Sequence, residues 1–273
     1  MRWLVVAAVC LWQGAATAGE IEESGLDNLP HAQITLLGEN HDNAGHHLGQ
    51  ARALRAIAPR AVVLEMLTPE QAARVTPELL SDQIALERAL DWNASGWPDF
   101  ALYYPVFAAL DTVKVYDTVK VYGAALARQE VRAAFSKGAA QVFGAEAARF
   151  GLTTALPAPE QAQREAAQFA SHCEAMPLDL MGGMVAAQRL RDAALARAAL
   201  VALADTDGPV VVILGNGHAR SDWGVPAVLL VAAPQVSVLS VGQLEGAAAS
   251  DEPFDLWRTT PTAPRGDSCA AFN

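Results

Sequence analysis

The chain has 273 residues, enough for one large domain or two small ones, and a formal net charge of −11 at pH 7. Phosphate contacts need clustered positive charge, so this acidic composition excludes DNA and RNA as expected partners. Beyond the first residues, no stretch reaches the run of about 18 apolar residues that a membrane-spanning helix needs. We therefore expect the mature chain to be soluble.

The first 18 residues have the pattern of a secretory signal peptide. Met1-Arg2 gives a positive start, residues 3–12 are apolar but too short to span a bilayer, and Ala16-Thr17-Ala18 fits a small-residue cleavage site. We predict cleavage after Ala18 and a location in the periplasm or cell envelope. Lipid attachment at Cys10 is the alternative, although residues 7–9 fit a lipoprotein cleavage site poorly.

The next segments predict a βαβ unit. Residues 33–37 are a short apolar run before Gly38, residues 44–57 carry apolar side chains at helical spacing, and residues 61–66 are a second apolar run. Two strands joined by a helix over this length pair in parallel with a right-handed crossover. Thr68 and Pro69 then have the cap and first-turn positions of another helix.

A helical middle, about residues 68–205, is predicted between this unit and the last strands. It contains a perfect duplication, because residues 111–116 repeat as residues 117–122. We expect one copy to fill a strand position and the other to lengthen the adjoining loop or strand. Helices are predicted at 130–143, 159–176 and 180–204, strands at 209–214, 227–232 and 236–241, and an irregular tail at 246–273.

These elements predict an α/β fold, with a mostly parallel sheet flanked by helices and a helical insertion. No linker separates the parts, so residues 19–273 are expected to form a single domain. Two cysteines remain after the predicted cleavage, Cys173 and Cys269. An even number in an oxidising compartment favours a disulfide, and two free or metal-binding thiols are the alternative.

Residues that bind metals or transfer protons follow three of the predicted strands. Glu39 and His41 follow the first, Glu65 ends the second, and His218 follows the strand at 209–214. The carboxyl ends of parallel strands form a ligand crevice, and a mixture of imidazole and carboxylate suits divalent metals. We therefore predict that these four side chains converge on one site. Taken singly, each is more typical of a capped or surface position.

Aromatic side chains at positions 100, 103, 104 and 107 form a stripe at helical spacing. Such a stripe usually packs in the core. However, tyrosine can ligate ferric haem iron, and aromatic walls suit a flat macrocycle. His46 and His47 are adjacent at a helix start, so at most one of them is expected to point at the site.

Several of these segments together resemble the ChaN family of haem-binding envelope proteins, which is grouped with Tiki-type proteins. The resemblance covers roughly residues 30–245 and rests on these motifs: Gly38-Glu39-Asn40-His41-Asp42-Asn43 with His46-His47, Leu64-Glu65-Met66, Gly215-Asn216-Gly217-His218-Ala219-Arg220, His172-Cys173 with Met176-Pro177, and residues 187–192. It implies a haem cofactor, with Tyr103 or Tyr104 as iron ligand and His46 and His47 as further contacts. It also implies a homodimer that stacks two haems, and outer-membrane components of haem or iron uptake as partners.

Two functions of different classes follow from this sequence. The first, which the resemblance favours, is an exported haem- or iron-binding protein that takes part in haem or iron acquisition. The second is a divalent-metal-dependent hydrolase, either a Tiki-type peptidase or an esterase-like enzyme. In the second case Glu39, His41, Glu65 and His218 would hold the ion, and a metal-bound water would attack the substrate.

Overall fold

The computed structural model describes residues 18–113, 118–266 and 269–270. The strands of these residues are β1 (Gly19–Glu20), β2 (Ile34–Glu39), β3 (Ala61–Leu64), β4 (Lys120–Gly123), β5 (Val210–Gly215), β6 (Val238–Glu245) and β7 (Leu256–Thr260). They form one seven-stranded sheet in the order β1-β7-β6-β2-β5-β3-β4, and each neighbouring pair is parallel. The predicted α/β class with a mostly parallel sheet is confirmed.

Helices connect the strands and cover both faces of the sheet. They are α1 (Ala44–Ile57), α2 (Pro69–Ala72), α3 (Pro77–Leu80), α4 (Gln83–Ala89), α5 (Phe100–Thr112), α6 (Arg128–Lys137), α7 (Ala139–Phe143), α8 (Ala158–Ser171), α9 (Met181–Thr206), α10 (Asn216–Ala219) and α11 (Val225–Ala232). Short 3-10 helices lie at Glu23–Asn28, Trp92–Ala94, Gly144–Glu146 and Leu178–Leu180.

The two faces of the sheet bury separate apolar cores. Side chains of α1 and α5 pack on one face, and side chains of α6, α7, α9 and α11 pack on the other. Every residue of β2, β3 and β5 is buried. This explains why these strands are almost continuously apolar, because a parallel sheet covered on both faces has no solvent side.

Local sequence signals determine where the helices that follow β2 and β3 begin. The side chain of Asn43 accepts a hydrogen bond from the Gly45 N–H, which caps α1. Thr68 and Gln71 form a capping box around α2, with Pro69 in the first turn. The prediction of α1 at 44–57 and the Thr68 cap are confirmed.

Two predictions for the last part of the chain are wrong. Residues 227–232, predicted as a strand, lie in α11, because a short apolar run with no polar alternation suits a buried helix as well as a strand. The tail at 246–273, predicted to be irregular, contributes β7, which pairs with β6 and β1. The backbone of these tail residues forms hydrogen bonds with strands that are distant in sequence, and a local sequence pattern cannot predict such partners.

Other predictions about the middle and the tail are confirmed in full or in part. The second copy of the duplication provides β4, whereas part of the duplicated segment, residues 114–117, lies outside the described residues. Gly138 at φ 85° ends α6, so the helix predicted at 130–143 is divided into α6 and α7. Cys173 and Cys269 form the predicted disulfide, with their Cα atoms 5.5 Å apart.

Among the described residues, no helix is long and apolar enough to cross a membrane.

Candidate functional site

A cavity of about 1200 Å³ lies at the carboxyl ends of the central strands β2 and β5. His41 and His218 lie on its wall together with apolar and basic side chains from the helices. Its apolar lining includes Trp97, Val131, Phe135, Met184 and Trp223. The strand ends thus supply the polar groups and the helices supply the apolar walls, which is the usual position of a ligand site in a parallel sheet.

Glu39 and His41 form a hydrogen-bonded pair at the end of β2. The two groups are 2.8 Å apart, from Nδ1 of His41 to Oε1 of Glu39, and Glu39 is buried while His41 is partly exposed in the cavity. Burial alone would raise the pKa of Glu39, but its contacts with His41 and His47 outweigh burial and hold the pKa well below its usual range. The Glu39 side chain is therefore a buried carboxylate with cationic or hydrogen-bonding partners.

His41 has a fixed ring orientation. Its ring contacts the edge of Trp97, with centroids 4.7 Å apart and an angle of 81° between the planes. A Cβ on Gly215 would lie 2.9 Å from Cε1 and 3.0 Å from Nε2 of His41, so the absence of a side chain there leaves room for the ring. Burial lowers the pKa of His41, but the hydrogen bond to Glu39 and the charge of Glu65 outweigh this effect, and the pKa is raised.

A second histidine–carboxylate group lies at the ends of β3 and β5. Nδ1 of His218 is 2.6 Å from Oδ1 of Asp192, and its Nε2 is 3.4 Å from Oε1 of Glu65. The other carboxylate oxygen of Glu65 accepts a hydrogen bond from the Gly215 N–H at 2.7 Å. Burial lowers the pKa of His218, but the two neighbouring carboxylates outweigh burial and raise it.

The four predicted metal ligands lie at the same end of the sheet but form two pairs. Glu39 contacts His41, and Glu65 approaches His218. Within the part of the chain that the structure describes, no group of three or more His, Cys, Asp or Glu side chains is arranged to hold a metal ion. The assignment of Glu39, His41, Glu65 and His218 to one metal centre therefore stays a prediction that this geometry does not support.

Of the two tyrosines predicted as haem ligands, Tyr103 lies in the core and Tyr104 is partly buried against it. Tyr103 is 1% exposed and donates a hydrogen bond of 2.8 Å from its hydroxyl to Oε1 of Glu39. Burial and the nearby charge of Glu39 raise the pKa of Tyr103 far above its usual value, which disfavours a phenolate. The Tyr104 hydroxyl donates to the Leu80 carbonyl oxygen at 3.1 Å. Neither residue lines the cavity, so their role as iron ligands stays a prediction from the resemblance alone.

His46 and His47, predicted as further haem contacts, are also fully buried. Nδ1 of His46 accepts a hydrogen bond of 2.8 Å from the Asn40 N–H, and its Nε2 lies 2.8 Å from the Thr260 hydroxyl. The His47 ring packs on Tyr103 with centroids 4.1 Å apart. His46 thus supports the loop that carries His41 from within the core, and neither histidine lines the cavity.

Sequence reasoning missed several residues that complete these groups. Asp192 and Gln188 of α9 contact His218, and Gln50 of α1 donates to Oε2 of Glu39 at 2.8 Å. Asp192 has one recognisable signal, because it is an acid between the buried positions of an Ala- and Leu-rich helix. The basic side chains around the cavity carry no motif, and their convergence depends on how the helices pack.

A sequence profile of the family described as "Haem-binding uptake, Tiki superfamily, ChaN" matches residues 26–229. The chain belongs to this family. The match spans most of the chain and includes all the strand-end residues of the cavity. A search of curated proteins finds no match.

Solved structures with a similar fold include a ChaN-family protein. The structure titled "Cofacial heme binding to ChaN of Campylobacter jejuni" has a TM-score of 0.55 and 19% identity, and the alignment covers 86% of this chain and 90% of that one. This likeness shows that the two proteins share a fold.

Two further matches have lower TM-scores. The type III effector HopBA1 has a TM-score of 0.43 and 12% identity over 84% of this chain and 88% of that one. A succinoglycan biosynthesis protein has a TM-score of 0.44 and 11% identity over 81% of this chain and 68% of that one.

Proposed function

We propose that this protein binds haem in the cavity at the carboxyl end of the sheet, with His41 as the iron ligand. The observation that carries this proposal is the state of the His41 ring. Its Nδ1 is hydrogen bonded to Glu39, and its Nε2 has no hydrogen-bond partner among the described residues. His41 is also the partly exposed member of the pair on the cavity wall.

This arrangement has the chemistry of a histidine that binds a metal. A carboxylate at Nδ1 fixes the tautomer and the ring orientation, which leaves Nε2 as the donor to the iron. Haem iron accepts imidazole as an axial ligand. Because the pKa of His41 is raised, binding to the iron would release a proton from Nε2 in the pH range where the free ring is charged.

The dimensions and lining of the cavity also fit a large planar ligand. Its volume of about 1200 Å³ exceeds the roughly 300–1,000 Å³ that is typical of pockets for drug-sized molecules. Trp97 and Trp223 supply aromatic surface, and Phe135 and Met184 add apolar surface. Bound haem would supply an iron centre, and the residues of this chain would orient it and shield it from water.

The test is a spectrophotometric titration of the purified protein with haemin. We expect a saturable Soret shift that is lost or strongly weakened in His41→Ala. His31→Ala is the matched control, because His31 is exposed and does not line the cavity. Tyr103→Phe and Tyr104→Phe should keep the shift. Normal binding by His41→Ala combined with loss in a tyrosine variant would transfer the ligand role to that tyrosine.

We extend the proposal to the cell. The protein would be exported to the periplasm or cell envelope and act in haem or iron acquisition, as a homodimer and with outer-membrane uptake components as partners. The signal-peptide pattern and the disulfide support export, because disulfides persist in oxidising compartments. Cell fractionation and the N-terminal sequence of the mature protein would test it. A protein that stays in the cytoplasm with residue 1 or 2 at its N-terminus would refute export.

The alternative, a divalent-metal-dependent hydrolase, has less support from the geometry. A catalytic metal centre of this kind uses about three protein ligands with an open position. The predicted ligands instead form two separate pairs among the described residues. Absence of any Soret shift, together with stoichiometric zinc or manganese in the purified protein, would favour the hydrolase.

A further inference from the structure

A second cavity of about 590 Å³ adjoins the first near the end of β3. Several residues line both cavities, so the two spaces share a boundary. The shared residues are Gly96, Trp97, Val131, Arg132 and Arg191. A single ligand can therefore have one part in each cavity.

Three arginines face the second cavity without an ion pair. Arg128 and Arg132 lie one turn apart on α6, and Arg191 lies on α9, which packs against α6. None of the three makes a salt bridge within the described residues.

The arginines that line the first cavity alone differ in this respect. Each of them contacts a carboxylate of the chain: Arg164 contacts Glu160, Arg220 contacts Asp222, and Arg265 contacts both Asp42 and Glu245. In the described linings of the two cavities, the guanidinium groups without an ion pair are thus concentrated at the second cavity and at its boundary with the first.

A bound anion would reduce the repulsion between these positive charges. Like charges four residues apart on a helix repel each other, and Arg128 and Arg132 have this spacing. Among the described residues of the lining, Glu65 is the only acid, and its oxygens already contact Gly215 and His218. In a protein with a net charge of −11, a concave site lined by unpaired guanidinium groups indicates an anionic ligand.

We infer that Arg128, Arg132 and Arg191 bind the carboxylate groups of a ligand whose apolar body lies in the first cavity. This inference rests on the proposed function, because haem has that construction: a planar apolar ring with two propionate groups on one edge. Guanidinium groups bind carboxylates through paired hydrogen bonds. The second cavity thus selects for the free acid of the ligand, and His41 in the first cavity selects for its metal.

The experiment compares haemin with haemin dimethyl ester, whose propionates carry no charge, on the full chain. We expect the wild type to bind haemin at least roughly tenfold more tightly than the ester. Arg128→Gln, Arg132→Gln and Arg191→Gln should each weaken haemin binding by roughly tenfold and leave binding of the ester unchanged. Raising the salt concentration should reduce the preference for haemin.

Arg88→Gln is the matched control, since Arg88 is an exposed arginine of α4 that lines neither cavity. Circular dichroism and thermal unfolding report whether each variant folds. Arg132→Gln keeps the test informative if Arg191→Gln does not fold, because Arg132 is exposed.

The outcomes separate the two claims. If haemin binds to the wild type but the ester or the three variants bind equally well, the inference is refuted and the proposed function stands. If the wild type binds neither haemin nor the ester, the proposed function fails and the inference fails with it.

Discussion

Protonation of His46 should destabilise the folded protein between pH 6.5 and pH 4. Burial is the main cause that lowers the pKa of His46 from its usual 6.5 to about 4. The Asn40 N–H donates to Nδ1, so this nitrogen must stay unprotonated in the folded state. Between these two pKa values the unfolded chain binds a proton that the folded chain does not bind, so the free energy of unfolding falls as the pH falls.

The size of the effect follows from the two pKa values. Each unit of difference corresponds to about 1.4 kcal/mol, so the contribution is complete above pH 6.5 and about 3 kcal/mol of it is lost by pH 4. The measurement is urea unfolding of the wild type and His46→Gln at several pH values between 4 and 7.5. We expect the variant to be less stable at pH 7.5, and this difference to shrink or reverse at pH 4.

The comparison isolates His46, because the carboxylates that also titrate in this range are the same in both proteins. His31→Gln serves as control, since His31 is exposed and its replacement should leave the pH dependence as in the wild type. If wild type and His46→Gln lost stability in parallel between pH 7 and pH 4, the lowered pKa of His46 would be wrong.

Three further predictions concern stability and the shape of the site. Replacing Cys173 and Cys269 by Ser opens a loop with a sequence separation of 96 and should lower the free energy of unfolding by about 3–5 kcal/mol. Denaturant unfolding measures this change, with the reduced wild type as control. Equal stability of the oxidised and the reduced wild type would contradict the prediction. Gly123→Ala should destabilise the folded protein by about 1–3 kcal/mol or more, because the added Cβ would lie within 2.4 Å of backbone atoms of residues 67 and 68. An unchanged free energy of unfolding would show that the backbone of this turn can move to accept the side chain. Gly215→Ala should displace the His41 ring and weaken haemin binding by roughly tenfold while the protein stays folded. Full haemin affinity in a folded Gly215→Ala variant would argue against His41 as the ligand.

Local patterns predicted the elements on which the site is built. The apolar runs before Gly38, Glu65 and Gly215 became the buried strands β2, β3 and β5, and Asn43 caps a helix whose bounds the apolar spacing had given. Polar residues directly after such strands have to meet at the carboxyl edge of a parallel sheet. For this reason the sequence alone predicted that Glu39, His41, Glu65 and His218 lie at one end of the molecule.

What the sequence by itself determined is therefore the fold class and the strand ends, whose signals depend on spacing along the chain, and the disulfide, which follows from the number of cysteines. The tertiary structure alone decided which side chains face the cavity. It buried Tyr103 and His46 through partners from distant segments, Glu39 and Thr260, and it left Nε2 of His41 without a hydrogen-bond partner among the residues that the structure describes. It also brought α6 and α9 together, so that three arginines with no salt bridge in the described part of the chain face the second cavity. The direction of a side chain depends on packing between elements far apart in sequence, and no local pattern records that packing.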